Sequence, residues 1–290
     1  LFNNTLALNG KIDQLRIFNK ELSAAEVTTL YNENSLVASY RFEGNANDDM
    51  RAYDGTATNV TYEYGLGFTP DFVWIKERSA AESHRLFNTT RGATKRLFSD
   101  NFNAESTATD SLTSFDTGGF TVGSSAGVNQ DGQDYVAWCW KAGGGTTSSN
   151  TDGSETSTVQ ANTDAGFSIV TMNAGSTNGD KTAGHGLGVK PAFVLFRRCP
   201  DASAWFTWHQ SLSQESYYLY LQDSLGEGGL TQSGNAWGNQ SFTDTTISWR
   251  TGWTVSANED LIAYCFAEIE GFSKFGSYEG TAASNNIVET

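Results

Sequence analysis

The chain has 290 residues, 38% of them hydrophobic and 13% aromatic, which is enough apolar mass for packed cores and too much for a disordered polymer. With 18 basic against 33 acidic residues the formal net charge is −15. The densest basic stretch, Arg85 to Arg96, and the pair Arg197-Arg198 make no stripe of the kind a phosphate backbone demands, so nucleic acid is excluded as a partner.

No apolar run reaches the roughly 18 residues of a spanning helix, so no membrane insertion is expected. Cys139, Cys199 and Cys265 are too few and of odd number for a disulfide framework, which suits folding in a reducing cytoplasm. Leu1 to Gly10 lacks the build of a signal peptide, and a chain opening on Leu rather than Met is expected to be a fragment or processed product of something longer. Gly, Ser, Thr and Asn crowd between short apolar runs, which points to many short strands.

Lys11 to Phe18 reads as a strand. Ser23 with Glu26 three positions on forms a capping box, and Val27, Leu30 and Tyr31 follow at helical spacing, so a short amphipathic helix is expected from Ala24 to Tyr31. Leu36 to Phe42 is a second strand, with Leu36, Ala38, Tyr40 and Phe42 on one face, and Glu43 to Asp49 is a polar turn. The run IDQLRIFN before LSAAEVTTLYN resembles the close of a laminin-G or concanavalin-like jelly-roll domain. YRFEGNANDD before DGTATNVTY resembles the opening of one. The end precedes the start, so either one domain lies mostly upstream of Leu1 or the two pieces serve as connectors.

An internal repeat follows. Gly65–Trp74 (GLGFTPDFVW) recurs as Gly186–Leu195 (GLGVKPAFVL), Gly119–Val122 (GFTV) as Gly252–Val255 (GWTV), and Tyr135–Trp140 (YVAWCW) as Leu261–Phe266 (LIAYCF). Three blocks in one order with drifting offsets mean duplication with loop insertions. In each copy the Gly-x-Gly-x-x-Pro run is a turn before a strand. Phe72, Trp74 and Lys76 then face one way, Val73 and Ile75 the other. Val136, Trp138 and Trp140 oppose Ala137 and Cys139, as Ile262, Tyr264 and Phe266 oppose Ala263 and Cys265. The Gly-Ser-Thr-rich stretch from Ala142 onward reads as a flexible linker, and Gly271–Phe275 echoes Gly166–Val170 as the start of a third unit.

The two copies resemble a repeated domain family of marine bacteriophage tail and fibre proteins, in which they sit beside laminin-G-like modules. The residues carrying the resemblance are GFTPDFVWIKERSAAESHRLF, SLTSFDTGGFTVGSS, YVAWCWKAGGG, HGLGVKPAFVLFRR and AYCFAEIEGFSKFGSYEG. The resemblance implies a place in a virion and an architecture, and no chemistry.

Candidate chemistry is thin. Gly123–Gly127 matches the Gly-x-Ser-x-Gly nucleophile elbow, but a turn rather than a helix is expected after it. His84, His185 and His209 show no zinc spacing. His84 and His209 fall at nearly the same place in the two copies and are expected to be buried and hydrogen-bonded. Cys139 and Cys265, mid-strand at matching positions, are expected to pack as small hydrophobes. Asn45, Asn47, Asp48 and Asp49, and separately Asn129, Asp131 and Asp134, form oxygen-rich turns that suit calcium, while Asp131-Gly132 also suits a plain hairpin turn. Trp205, Trp208 and Trp237 are candidates for stacking on sugar rings, against the alternative that they fill a sandwich core.

The expected fold is therefore all-β, tandem β-sandwich repeats with one short N-terminal helix. Its divisions are laminin-G-like segments over 1–60, repeat A over 61–145, a flexible linker over 146–164, repeat B over 165–270, and a further repeat or tail over 271–290. The expected function is that of a non-catalytic virion protein of a tail or fibre, assembled in the host cytoplasm and acting in host-surface attachment. Its expected partners are other virion subunits, as a homo-oligomer, and a host glycan or surface protein. No cofactor is expected beyond calcium. The competing functions are a polysaccharide-degrading tail-spike enzyme and an extracellular adhesin of a marine bacterium.

Overall fold

The computed structural model describes residues 15–17, 38–40, 65–199, 201–228, 236–282, 284 and 287–288. The chain divides into two units, Leu1–Gly67 and Phe68–Thr290. In the first, β1 (Leu15–Ile17) pairs antiparallel with β2 (Ala38–Tyr40), Leu15 opposite Tyr40. Both lie inside the segments expected as strands. The helix expected over 24–31 lies outside the described residues.

The second unit is nearly all β, as its composition predicts. One sheet has five strands in the order β6-β5-β4-β3-β9: β3 (Phe72–Glu77), β4 (Arg85–Asn88), β5 (Lys95–Phe98), β6 (Ser106–Thr107) and β9 (Tyr135–Trp140). A second has seven, in the order β10-β11-β12-β18-β14-β15-β16. Its strands are β10 (Ser148–Asn150), β11 (Ser157–Asn162), β12 (Phe167–Asn173), β14 (Phe193–Arg198), β15 (Phe206–His209), β16 (Leu219–Tyr220) and β18 (Asp260–Phe266). Two smaller antiparallel pairs flank them: β7 (Leu112–Asp116) with β8 (Gly119–Val122), and β13 (Gly179–Gly184) with β17 (Thr246–Thr251). A one-turn helix, α1 (Ala126–Asn129), follows β8.

The repeated segments take matching places. β3 lies between β4 and β9 with Phe72 opposite Asn88 and Trp140, and β14 lies between β15 and β18 with Phe193 opposite His209 and Phe266. The turn before each central strand is alike as well, Gly65, Gly67, Gly186 and Gly188 all having φ between 69° and 81°. Strand register also corrects one sequence match: the counterpart of His209 is Asn88, not His84.

Alternation decides which side chains meet. The aromatic faces of the two sheets pack on each other: Phe72 lies 4.3 Å from Tyr264 and 5.9 Å from Phe167, and Trp140 meets Phe266 edge-on at 5.9 Å. This central layer also takes in Leu86, Leu97, Ile169, Leu195, Trp205 and Ile262. Burying a ring of this size contributes about 2–3 kcal/mol, so the two sheets hold each other by their most apolar surfaces. The opposite faces are covered by the smaller pairs. Val73, Ile75 and Phe87 pack with Leu112 of β7 and Val128 of α1, and Val194, Phe196 and Ala263 pack with Ala183, Ile247 and Trp249 of the β13–β17 pair.

Three expectations change here. The aromatic faces of the two copies fill one shared layer, not a separate sandwich interior in each copy. The stretch 146–164 carries β10 and β11, which extend the seven-stranded sheet, and is no flexible linker. Its polar side chains bond within the fold: Ser157 Oγ donates to the Gly184 carbonyl, and buried Gln160 Nε2 donates to the Thr89 and Thr90 hydroxyls. Gly271–Phe275 does not repeat β12; it turns back through an Ile269–Ser273 bridge, and the Phe275 ring stacks on Phe193 at 5.9 Å.

Candidate functional site

The three tryptophans picked from the sequence are core. Trp205 is 0% exposed, with its indole N–H donating to the Phe98 carbonyl at 2.6 Å. Trp208 and Trp237 are 3% and 1% exposed and donate to the carbonyls of Glu215 and Tyr217. Both faces of β15 are covered, so Trp205 enters the central layer while Trp208 enters the outer one. No sugar reaches them: of the two readings weighed for these rings, core filling is the one that holds.

Of the calcium candidates, Asn45, Asn47, Asp48 and Asp49 lie outside the described residues. Asn129 spends its amide on the Gly123 carbonyl at 2.9 Å, and the backbone N–H of Asp134 donates to Ser79 Oγ at 3.1 Å. Asp131 and Gly132 form the turn before β9. Among the described residues no three His, Cys, Asp or Glu side chains gather in a metal-binding group.

The Gly-x-Ser-x-Gly run does lead from a strand, β8, into a helix, contrary to the sequence expectation, but α1 has a single turn and Ser125 caps it without a side-chain hydrogen bond. Its glycines serve close packing. A Cβ on Gly127 would fall 1.7 Å from the Arg85 guanidinium carbon, and one on Gly123 would fall 2.4 Å from the Asp110 carbonyl oxygen. Arg85 Nη1 donates to the Gly127 carbonyl at 2.8 Å, which is what draws the chain so near.

His84 Nδ1 accepts from the Trp74 indole at 2.8 Å, His209 Nδ1 accepts from the Ser211 amide, and buried His185 accepts from the Leu187 amide and faces the Thr243 carbonyl. Burial lowers all three pKa values below the ordinary 6.5. All three are hydrogen-bonded, as expected of His84 and His209, but those two are only half-buried. Cys265 is buried in the core on one side of the central layer, as a small hydrophobe, whereas Cys139 is only half-buried against the core on the other.

Two places on the second unit bring functional groups together. The first is a cleft of about 540 Å³ with Arg91, Glu105, Thr158, Thr171, Cys199 and Asp260 in its lining. Arg91 follows β4 and pairs with Glu105 at 2.6 Å, and the Cys199 thiol, just past β14, donates to the same carboxylate oxygen at 3.0 Å. Burial alone would raise the Glu105 carboxyl. The hydrogen bonds from Arg91 and Cys199 and the charges of Arg91 and Lys95 outweigh that, and its pKa lies below the usual range. Burial, with the Glu105 bond, pushes the Cys199 thiol up to about 12, so it stays protonated and unreactive. Nearby, buried Arg197 donates to the Asn103 and Asp201 carbonyls and lies over the Trp205 ring at 5.1 Å. Apart from Arg91 Nε and Arg197 Nη1, which are buried without a hydrogen-bond partner, these polar groups bind one another and tie loop 99–105 of one sheet to the end of β14 in the other.

The second is the turn after β18. It is held by Phe272 N–H to Ile269 O, Ser273 N–H to Ile269 O, and Phe275 N–H to Glu268 Oε1, each 2.9 Å. At its crest Phe272 is 70% exposed, although its sequence counterpart Phe167 is at 1%. One hollow of about 570 Å³ lies within the turn, lined by Glu268 to Lys274. Another of about 670 Å³ runs from the same ring across Lys141, Asn162, Thr163 and Asp164. Sequence reasoning missed this ring because its Gly-Phe-Ser pattern matched a buried strand.

No curated protein and no solved structure matches the chain. A family model does, the domain of unknown function DUF7483, over residues 47–289. That span includes both sheets, the cleft and the Phe272 turn, and the chain belongs to the DUF7483 family.

Proposed function

We propose that this chain is a non-catalytic structural part of a phage virion, in a tail or fibre, that meets the host surface and assembles with further copies of itself. The observation that carries the non-catalytic reading is the state of the cleft. Its Glu105 carboxylate, 11% exposed, is held ionised by Arg91 and Cys199, whereas a glycosidase acid needs a raised pKa. A thiol kept protonated is no nucleophile. What remains suits a stiff body: two sheets locked face to face, with polar loops outside. The resemblance of both copies to tail and fibre repeats supports the placement. The matching places of β4-β3-β9 and β15-β14-β18 support a duplicated unit, with both copies contributing to the central layer.

The test has two arms. Gold-labelled antibody against this chain is expected to decorate the tails of purified particles under the electron microscope. Purified protein is expected to adsorb to host cells without releasing reducing sugar from their surface polysaccharide. Steady release of reducing ends would replace this reading with the depolymerase one, and unlabelled particles would remove it from the virion.

A further inference from the structure

We propose that Phe272 and the two hollows it separates form a saccharide-binding shelf, with a neutral pyranose chain lying across the ring. This rests on the attachment reading and gives it a site. A single exposed apolar side chain is ordinary on a protein surface, so exposure alone decides nothing. Three further observations set this ring apart.

It is held firmly. Besides the turn's own hydrogen bonds, Ser273 Oγ donates to the Ala267 carbonyl, Gln210 Nε2 donates to both Glu268 and the Phe275 carbonyl, and the Phe275 ring is anchored on Phe193. A ring presented by a pinned turn loses little freedom when a ligand covers it. It is also central: both hollows have Phe272 in their lining, so a chain lying over the ring enters both. Finally, the exposed flanking groups suit hydroxyls. Lys141, Thr163 and Asp164 stand on one side, Glu270 and Lys274 on the other. They provide donors and acceptors of both charges, with no excess of cations to select an acidic polymer. A pyranose offers an apolar C–H face for the ring and hydroxyls at its rim for such groups.

Calorimetric titration of the full chain with neutral gluco-, manno- and galacto-oligosaccharides of rising length tests this. Affinity is expected to rise from monosaccharide to tetrasaccharide, because one sugar cannot reach both hollows. Phe272→Ala is expected to weaken binding by about tenfold, Phe272→Trp to keep it, and both variants to unfold at the wild-type denaturant concentration. Failure of every neutral series, binding of acidic oligosaccharides alone, or wild-type affinity in Phe272→Ala would overturn the shelf. Cell adsorption separates the two readings. Wild type and Phe272→Ala adsorbing equally would leave attachment standing and remove the shelf. Oligosaccharide binding without cell adsorption would do the reverse.

Discussion

Arg91 and Glu105 form a pair in which each side chain is close to full burial, at 7% and 11% exposure. Removing one partner of such a pair leaves a charge stranded, and Glu105→Gln is expected to cost about 3 kcal/mol by urea denaturation, the lower end of the usual range because the cleft admits water. The pH dependence has a definite sign. A carboxyl whose folded pKa is depressed stabilises fully above its ordinary 4.5 and loses that contribution as pH falls through the folded value. The difference between wild type and Glu105→Gln should therefore shrink below that point. The three described histidines act higher up. Their folded pKa values are lowered by burial, so the unfolded chain takes up protons first and stability starts to fall once pH drops below 6.5. Urea midpoints that stay flat from about pH 7.5 to 5 would contradict this. NMR titration of His185 should show a pKa below the ordinary value.

At the scale of elements, the glycine-rich run after β9 shows how composition misleads. Buried Asp71, just before β3, accepts from the backbone N–H groups of Ala142, Gly144 and Gly145 at 2.7 to 2.8 Å, and from Thr89 Oγ1 at 3.0 Å. Successive amides converging on a carboxylate make a nest, so the segment is clamped where a linker was expected. The second copy has Ala192 at the matching place, which explains why this clamp was invisible to the repeat. Asp71→Ala leaves three amides without their acceptor and should destabilise by about 2–4 kcal/mol. Hydrogen exchange should speed up at Gly144 and Gly145, and unchanged protection there would refute the clamp.

For the whole molecule, the shared aromatic layer sets the cooperativity. Independent repeats would unfold in two steps, each with its own midpoint. Sheets that bury their aromatic faces on each other should unfold together, since opening either one exposes Phe72, Phe167 and Tyr264 to water. Phe72→Ala, at 0% exposure, should cost about 3–5 kcal/mol. It should lower the transition of both sheets, as read by hydrogen exchange at β4 and at β15. Loss of protection in the five-stranded sheet alone would show that the halves are separable after all.

Period-two alternation was enough to establish strands and to divide each into an aromatic and a small-residue face, because those features depend on neighbours in the chain, and recurrence of three sequence blocks marked the repeat. The alternation placed Phe72 with Trp74, Tyr264 with Phe266, and Cys265 on the reverse side, and the cores follow that division. What an apolar face packs against is a long-range fact. The same pattern serves a sandwich within one copy or between two, and contacts separated by well over a hundred residues chose the second. The site residues show the same split. Trp205 and Phe272 are both aromatic residues in polar company, and only the layers above and below Trp205, and the turn beneath Phe272, buried one ring and left the other in water.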